Sequence, residues 1–361
     1  MARGYNFGAG PATLPEDLLK TIQIELLEWQ NSGMSILEIG HRTPEFKAVL
    51  HRAEQTLRQL LGIPSDYHVL FMNCSARALF AMIPMNFIDH TQHAGYLITG
   101  AWSAKAYAEA SRIKSVYCIA SGSATNFISV PEQSEWSIKD STAYLYYTPN
   151  ETINGLYCSK PTLTTSIPII ADMTSCLLTE SISVSDYALI FAGAQKNIAN
   201  SGMTIVIIKD AFLNTITNNN LPQAFDFRIQ VAQQSLYSTP PTFNCYVADK
   251  MFSWIESQGG IAAMHANNLL KSRKVYCAID QSNLYTPIVT ISARSFLNMC
   301  FTLPNNSLED LFVAQSHARN LLMLRGHAKI GGIRVSSYNA MPLMGIDKLV
   351  EFMNEFSMEN L

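Results

Sequence analysis

The chain has 361 residues, of which 48% are hydrophobic and 15% charged, and this balance excludes a disordered tail or a coiled coil. At about 150 residues per domain, the length predicts two domains, or one large α/β unit with an appendage. Lys and Arg number 25 against 28 Asp and Glu, a net charge of −3, so nucleic acid is not an expected partner.

Two amphipathic helices are predicted at the start of the chain. Apolar residues recur at helical spacing over 15–31 and 44–61, and each stretch begins with a proline, which suits the first turn of a helix. The window 69–88 has the length of a membrane span. It carries Arg77 and Pro84, however, and a charge in mid-bilayer costs about 3 kcal/mol. We interpret it as a buried strand followed by a helix, and no membrane partner is expected.

Short apolar runs that alternate with helical stretches follow. Several runs are apolar throughout, which is typical of strands covered on both faces. Alternating strands and helices predict an α/β fold with a mostly parallel sheet flanked by helices. The predicted strands lie at 68–72, 95–99, 115–119, 143–148, 167–172, 188–192 and 204–208, and helices are predicted at 76–87 and 103–113.

The last hundred residues predict a smaller α+β domain. Gly259 and Gly260 form a strong stop signal after the first helix of this region. Helices are predicted at 242–258, after Gly260, at 307–325 and at 345–358, with strands near 298–303 and 334–337.

The cysteine pattern gives no sign of a metal site or a disulfide framework. Seven cysteines are scattered along the chain, and no CxxC pair occurs. We expect mostly buried free thiols in a reducing cytosol. The N-terminal residues lack the apolar run of a signal peptide, so the predicted location is cytoplasmic.

Two charged residues follow buried apolar runs in the middle of the chain. Asp172 ends one run, and Lys196 follows the next. Ligands bind at the carboxyl ends of strands in open α/β sheets, so these residues can share one crevice on neighbouring strands. A desolvated lysine has a lowered pKa and can form a Schiff base. On these two residues alone, a buried salt bridge or two surface charges remain the alternative.

Motifs spread over nearly the whole chain carry a family resemblance. Around the charged pair stand Ala-Asp-Met-Thr-Ser at 171–175 and Ala-Gly-Ala-Gln-Lys-Asn at 192–197. The others are Phe-Gly-Ala-Gly-Pro-Ala at 7–12, Gly-His-Arg at 40–42, Gly-Ala-Trp-Ser at 100–103, Pro-Asn-Glu-Thr-Ile-Asn-Gly at 149–155, Thr-Pro-Pro-Thr-Phe at 239–243, Gly-Gly-Ile-Arg at 331–334 and Tyr-Asn-Ala-Met-Pro at 338–342. On these motifs the chain resembles class V, fold-type-I pyridoxal 5'-phosphate (PLP) enzymes, and more narrowly the phosphoserine aminotransferases.

The resemblance implies an architecture and a reaction. It implies fold type I, with a seven-stranded sheet in a large domain at 16–255 and a small α+β domain formed by 1–15 and 256–361. It implies a homodimer with shared active sites, and a ping-pong transfer of the amino group from glutamate to 3-phosphohydroxypyruvate in serine biosynthesis. The products are 2-oxoglutarate and phosphoserine. It leaves open whether 4-phosphohydroxythreonine, in pyridoxine synthesis, is a second product.

The resemblance also implies roles around the cofactor ring. Lys196 is implied as the amine that holds PLP and then moves the substrate proton, and Asp172 as the partner of the pyridinium nitrogen. Trp102 is implied to stack on the ring, although a core tryptophan at a helix start is the alternative. The implied polar shell consists of Thr152, Thr174 and Gln195.

Anionic groups require further partners. Backbone N–H groups at a helix start suit a phosphate, and Ala76 and Arg77 stand where a strand is followed by a helix. A guanidinium such as that of Arg334 suits the substrate α-carboxylate. The resemblance adds Ser238 and Thr239 from a second subunit at the cofactor phosphate, and His327 with His41 and Arg42 at the distal carboxylate or phosphate of the substrate.

The chain departs from the family pattern at two places. The phosphate-binding loop of the family is usually rich in glycine, whereas this chain has Asn73, Cys74 and Ser75, which tolerate positive φ less readily. Ala328 stands where the family usually has an arginine that binds phosphate, and Ser238 where it often has asparagine.

Other functions fit less well. The chain lacks the third glycine of a dinucleotide-binding motif and the nucleophile elbow of a hydrolase. It also has no identifiable reactive thiol of the kind that a cysteine desulfurase requires. The principal alternative is a degenerate relative that binds PLP, or nothing, and acts as a binding or scaffold protein. The retained charged residues argue against that alternative.

Overall fold

The computed structural model describes residues 3–163 and 166–360, and its elements follow the predicted order. The α-helices are α1 Glu16–Glu25, α2 Pro44–Leu61, α3 Ala76–Phe87, α4 Ala101–Ser111, α5 Asp210–Leu213, α6 Phe227–Ala232, α7 Thr242–Ser257, α8 Gly260–Asp280, α9 Asn306–Ala318 and α10 Leu343–Asn360. The strands are β1 Tyr5–Asn6, β2 Tyr67–Met72, β3 His93–Ile98, β4 Val116–Ser121, β5 Thr142–Tyr147, β6 Asn150–Glu151, β7 Leu156–Tyr157, β8 Ile169–Asp172, β9 Leu189–Gly193, β10 Thr204–Lys209, β11 Thr286–Pro287, β12 Asn298–Thr302, β13 Leu321–Leu322 and β14 Ile333–Ser336.

The central sheet has seven strands in the order β2-β10-β9-β8-β5-β3-β4. Neighbours from β9 to β4 run parallel, and β10 is antiparallel to both β9 and β2. The predicted mostly parallel sheet is therefore confirmed. Because β8 and β9 are parallel neighbours, their carboxyl ends lie at the same edge of the sheet.

Helices cover both faces of this sheet, which explains why its strands are apolar throughout. Along β10, Ile205 and Ile207 pack into one core while Val206 and Ile208 pack into the other, because successive side chains point to opposite faces. The first core includes residues of α2 and α7, and the second includes residues of α3 and α4.

A third core lies around a smaller antiparallel sheet with the order β11-β12-β14. Buried residues of α8, α9 and α10 pack into this core. The N-terminal strand β1 pairs in parallel with β13, so the start of the chain joins this C-terminal part.

Two predicted helices end earlier in the structure than the apolar spacing indicated. The first, predicted to reach residue 31, ends at Glu25. A non-helical segment follows, in which Gln30 and Asn31 adopt left-handed φ values of 53° and 58°. Trp29 is buried, but it lies in the irregular segment after the helix. The helix predicted over 307–325 ends at Ala318, and the apolar pair that follows it forms strand β13.

The apolar window 69–88 forms β2 and α3, as predicted. None of the helices in residues 3–163 and 166–360 is both long and apolar enough to cross a bilayer. The seven cysteines have free thiols, and Cys118 and Cys277 are the exposed ones.

Gly155 joins the β6–β7 hairpin to the small sheet and offers a test of this packing. Its φ is +75°, and a Cβ there would lie 2.4 Å from the backbone oxygen of Asn298. Gly33 has a similar φ of +72° with no atom within 4 Å of its Cβ position. We expect Gly33→Ala to lower the unfolding free energy by about 1 kcal/mol, and Gly155→Ala by about 1–3 kcal/mol more. Urea unfolding of both variants measures this difference, and equal losses would contradict the described packing.

Candidate active site

The sheet brings the two central charged residues to one cavity. Asp172 is the last residue of β8, Lys196 follows β9, and these strands are parallel neighbours with Asp172 opposite Phe191. The predicted shared crevice is a cavity of about 380 Å³. Its lining includes the following sequence-predicted residues: Ala76, Arg77, Trp102, Thr152, Asp172, Thr174, Gln195, Lys196, His327 and Arg334.

Asp172 and Lys196 are both buried, with exposed fractions of 5% and 8%, yet no ion pair within 4.0 Å joins them in the described part of the chain. Burial raises the pKa of Asp172, whose Oδ1 accepts a hydrogen bond from the Thr174 N–H at 3.0 Å. Burial lowers the pKa of Lys196 to about 8, and Asp172 opposes this shift while Arg334 adds to it. The cavity thus holds an acid and an amine with space between them.

Trp102 lies in the first turn of α4 and forms one wall of the cavity. Its indole Nε1–H donates to the hydroxyl of Thr152 at 3.0 Å, and its backbone N–H donates to Glu151 at 2.9 Å. The Lys105 ammonium lies 4.1 Å from the centre of the indole ring. Trp102 is partly buried: it packs against the core that contains α3 and α4, and it also lines the cavity.

The start of α3 provides an anion-binding corner of the cavity. Ser75 precedes the helix and gives no side-chain cap, so the first backbone N–H groups, at Ala76 and Arg77, are available to a ligand. Neither Asn73 nor Cys74 has a positive φ, and Ser75 has a φ of −79°. The loop therefore forms without glycine and without backbone strain.

Cationic residues gather at the mouth of the cavity. Arg334 on β14 donates to the backbone oxygen of Thr152 at 3.3 Å. Burial, with Arg334, Lys105 and Lys329, lowers the pKa of His327. Nδ1 of His327 accepts the Lys329 N–H at 3.2 Å, which places the proton of the neutral ring on Nε2. The mouth is suited to anionic groups.

Four sequence-predicted residues do not line this cavity: His41, Arg42, Ser238 and Thr239. Arg42 is exposed, and Thr239 lies near the α3 corner, where its backbone oxygen accepts from Asn73 at 3.3 Å. Several lining residues had been given no role from sequence, although Gly10 and Asn150 belong to motifs that carried the resemblance. The unassigned lining residues are Ala9, Gly10, Ser75, Phe80, Thr148, Asn150, Ile153 and Ser175.

The environment of Lys196 predicts an amine that reacts well below the usual lysine range. In the ligand-free protein, we expect acylation of Lys196 to follow a pKa of about 8. Asp172→Asn removes a charge that raises this pKa, so the midpoint should fall further. Competitive labelling across a pH series, read by mass spectrometry, measures both midpoints.

The control is Asp186→Asn, which removes a partly exposed carboxylate paired with Lys160 and should leave the Lys196 midpoint unchanged. A wild-type midpoint near that of an ordinary lysine would contradict the prediction. An unchanged Lys196 midpoint in Asp172→Asn would contradict it as well.

Comparisons with known proteins agree with this geometry. The family model Aminotransferase class-V matches residues 4–349. The phosphoserine aminotransferase of Legionella pneumophila is 51% identical over 359 residues, which cover 99% of each chain. The structure of the phosphoserine aminotransferase from Bacillus circulans subsp. alkalophilus has a TM-score of 0.97 at 39% identity, with 99% of each chain covered. The PLP-bound phosphoserine aminotransferase from Trichomonas vaginalis has a TM-score of 0.94 at 38% identity, covering 97% of this chain and 99% of that one.

These similarities extend over nearly the whole chain in sequence and in backbone, and they confirm the resemblance carried by the motifs. The relatives also share the α/β architecture that places Asp172 and Lys196 at one cavity. The chain belongs to the class-V aminotransferase family and, within it, to the phosphoserine aminotransferases.

Proposed function

We propose that this chain uses PLP to transfer the amino group of glutamate to 3-phosphohydroxypyruvate, which gives 2-oxoglutarate and phosphoserine. The observation that carries the proposal is the cavity in which Asp172 and Lys196 face a common space below a cationic mouth. The names of the relatives and the PLP-bound structure from Trichomonas vaginalis support the same reaction.

The residues of the cavity fit PLP in size and in chemistry. A volume of about 380 Å³ lies between the unpaired acid and amine, and the uncapped start of α3 suits a phosphate dianion. Among residues 3–163 and 166–360, no hydrogen bond reaches Oδ2 of Asp172, so this buried oxygen has room for a ligand N–H. The indole of Trp102 offers a flat apolar surface for a ring.

Each residue around the cofactor would then have one task. When bound, PLP supplies an aldehyde that links an amine and a ring that accepts electrons. Asp172 would hold a proton on the ring nitrogen, and Lys196, once its amine is free, would move the proton at the substrate Cα. Trp102 would set the tilt of the ring. Thr152, Thr174 and Gln195 would complete the polar shell, and backbone N–H groups of Ala76 and Arg77 would hold the phosphate.

The mouth of the cavity would bind the two anionic ends of the substrates. Arg334 would clamp the α-carboxylate by a bidentate pair. Its bond to the Thr152 oxygen uses one of five guanidinium N–H groups, so other donors remain for the carboxylate. His327 would donate from Nε2 to the distal carboxylate or phosphate. The ammonium groups of Lys105 and Lys329 add positive charge beside it.

We also propose a homodimer in which each active site takes residues from both subunits. His41 and Arg42 would reach the distal group of the partner's substrate, and Ser238 and Thr239 would reach the partner's cofactor phosphate. Exposed apolar side chains close to His41 in sequence support an interface there. They are Ile24, Leu27, Met34 and Leu37, and Leu27 is 87% exposed.

Two further proposals concern domains and location. We propose a large unit at 16–255 and a small unit formed by 1–15 and 256–361, which the core around the small sheet supports. We propose a cytoplasmic location, which the free cysteine thiols support. Whether 4-phosphohydroxythreonine is a second product is decided by assaying the corresponding oxo acid.

The first test removes the amine. Lys196→Ala should lower kcat by several orders of magnitude while a folded dimer persists, because no other lysine lines the cavity in the described residues. A coupled assay with glutamate and either phosphorylated or unphosphorylated hydroxypyruvate measures turnover and substrate choice. Wild-type-like turnover in the variant would refute the proposed role of Lys196.

Mixing two inactive variants extends this test to the shared site. Arg42→Ala alone should also be poorly active. In a refolded mixture of Lys196→Ala and Arg42→Ala chains, half of the dimers contain one intact site, so about a quarter of wild-type activity should return. No recovery despite mixed dimers would place Arg42 in the site of its own chain.

The second test concerns Ala328, which lies in the turn between His327 and Lys329. An arginine here would add a charged hydrogen bond of about 1.5–3 kcal/mol to a phosphate. We expect Ala328→Arg to lower KM for phosphoserine by about ten- to a hundred-fold and to leave KM for glutamate nearly unchanged. Ala328→Gln, which adds a neutral hydrogen-bond donor without a charge, is the control. Equal KM values for phosphoserine in all three proteins would contradict the prediction.

A further inference from the structure

We propose that Glu151 is the positioning residue that fixes Trp102 on the wall of the cavity. Sequence reasoning assigns no role to Glu151, because the expected function of its motif lies with the neighbouring Thr152. The inference rests on the proposed function, since it concerns the tryptophan that would face the cofactor ring.

The Glu151 carboxylate caps the start of α4 from another element. It belongs to β6, is completely buried at 0% exposure, and uses both oxygens on the first turn of the helix. Oε2 accepts the backbone N–H of Trp102 at 2.9 Å, and Oε1 accepts the N–H and hydroxyl of Ser103 at 2.7 Å each. These N–H groups have no acceptor within the helix, and a negative charge is favourable at this end of the helix dipole.

The next residue in the chain holds the other end of the same tryptophan. Thr152 accepts the indole Nε1–H at 3.0 Å, and Glu151 accepts the backbone N–H. Two consecutive residues therefore fix the main chain and the ring of Trp102. A side chain held at both points loses most of its rotational freedom before any ligand binds.

Gly100 makes this arrangement possible through its size alone. Its φ is −177°, an extended conformation that any residue adopts. A Cβ at Gly100 would nevertheless lie 2.4 Å from Cδ of Glu151, which is closer than real atoms approach. The Glu151 carboxylate thus occupies the space that a side chain at position 100 would fill.

The two backbone N–H groups favour the charged form of Glu151. Burial raises the pKa of the Glu151 carboxyl, but the N–H groups of Trp102 and Ser103 can only donate, so a proton on either oxygen would weaken one of these bonds. A neutral amide of the same shape must turn its NH2 group towards one of these donors. The amide variant therefore tests the bonds without removing volume.

The experiment compares Glu151→Gln, Glu151→Ala and Gly100→Ala with the wild type. In the cofactor-free protein, amide hydrogen exchange should rise about tenfold at both Trp102 and Ser103 in Glu151→Ala and Gly100→Ala, and at one of the two residues in Glu151→Gln, because the N–H acceptors are lost or displaced. With PLP, glutamate and 3-phosphohydroxypyruvate, kcat should fall about tenfold while KM for glutamate changes little, since Arg334 is untouched. Quenching of tryptophan emission on PLP binding should weaken, and Trp102→Phe should show the same loss.

A double variant separates positioning from general damage. In Glu151→Ala the side chain that would clash with position 100 is gone, so adding Gly100→Ala should cost little more. Additive losses would overturn the proposal. Glu180→Gln, which alters a carboxylate that accepts from Tyr157 outside the cavity, is the control and should leave α4 exchange and kcat unchanged.

The outcomes distinguish this inference from the proposed function. Wild-type exchange, emission and kcat in Glu151→Gln would overturn the positioning role while the transaminase stands. If the wild type neither binds PLP nor transaminates, the proposed function fails. Amide exchange in the cofactor-free variants still tests the positioning role of Glu151, and unchanged exchange would overturn that role as well. Should Glu151→Ala fail to fold, Glu151→Gln and Gly100→Ala carry the same test.

Discussion

The site depends on a buried acid and a buried amine that face one cavity without neutralising each other. The parallel register of β8 and β9 sets the positions of Asp172 and Lys196, because Asp172 is the last residue of β8 and Lys196 lies three residues after the end of β9. Two buried charges left apart are costly, and a direct salt bridge would be the cheaper solution for stability alone. The sheet therefore keeps open a space that a ligand with a basic nitrogen and a carbonyl can fill.

Local charge differs strongly from the net charge of the molecule. The chain carries −3 overall, yet the cavity has a helix start at one corner and Arg334 with His327 at the other. Lysines 105 and 329 strengthen the positive field at the mouth. Such a cavity binds molecules with several negative groups, as a class-V aminotransferase acting on dicarboxylic or phosphorylated acids requires.

Much of the fold could be predicted from the sequence, because strands of the central sheet are buried on both faces and therefore consist of apolar runs. Helix α2 has the predicted bounds, and the two strand-end charges share one cavity as expected. Helix α1 ends at Glu25, and Gln30 and Asn31 in the segment after it adopt left-handed conformations, which apolar spacing alone does not predict. Glu151 went unnoticed since its three donors lie in a distant part of the chain. Contributions of a second subunit stay predictions, because they depend on contacts that one chain does not contain.

The turn before α3 has a consequence for how such proteins vary among organisms. Its ligand-facing groups are main-chain nitrogens, and Asn73, Cys74 and Ser75 hold them in place with ordinary torsion angles. Natural drift at these positions is therefore free to exchange side chains while it preserves the contour of the backbone. A search pattern that insists on glycine here would discard genuine members of the family, whereas one that asks for the shape would retain them.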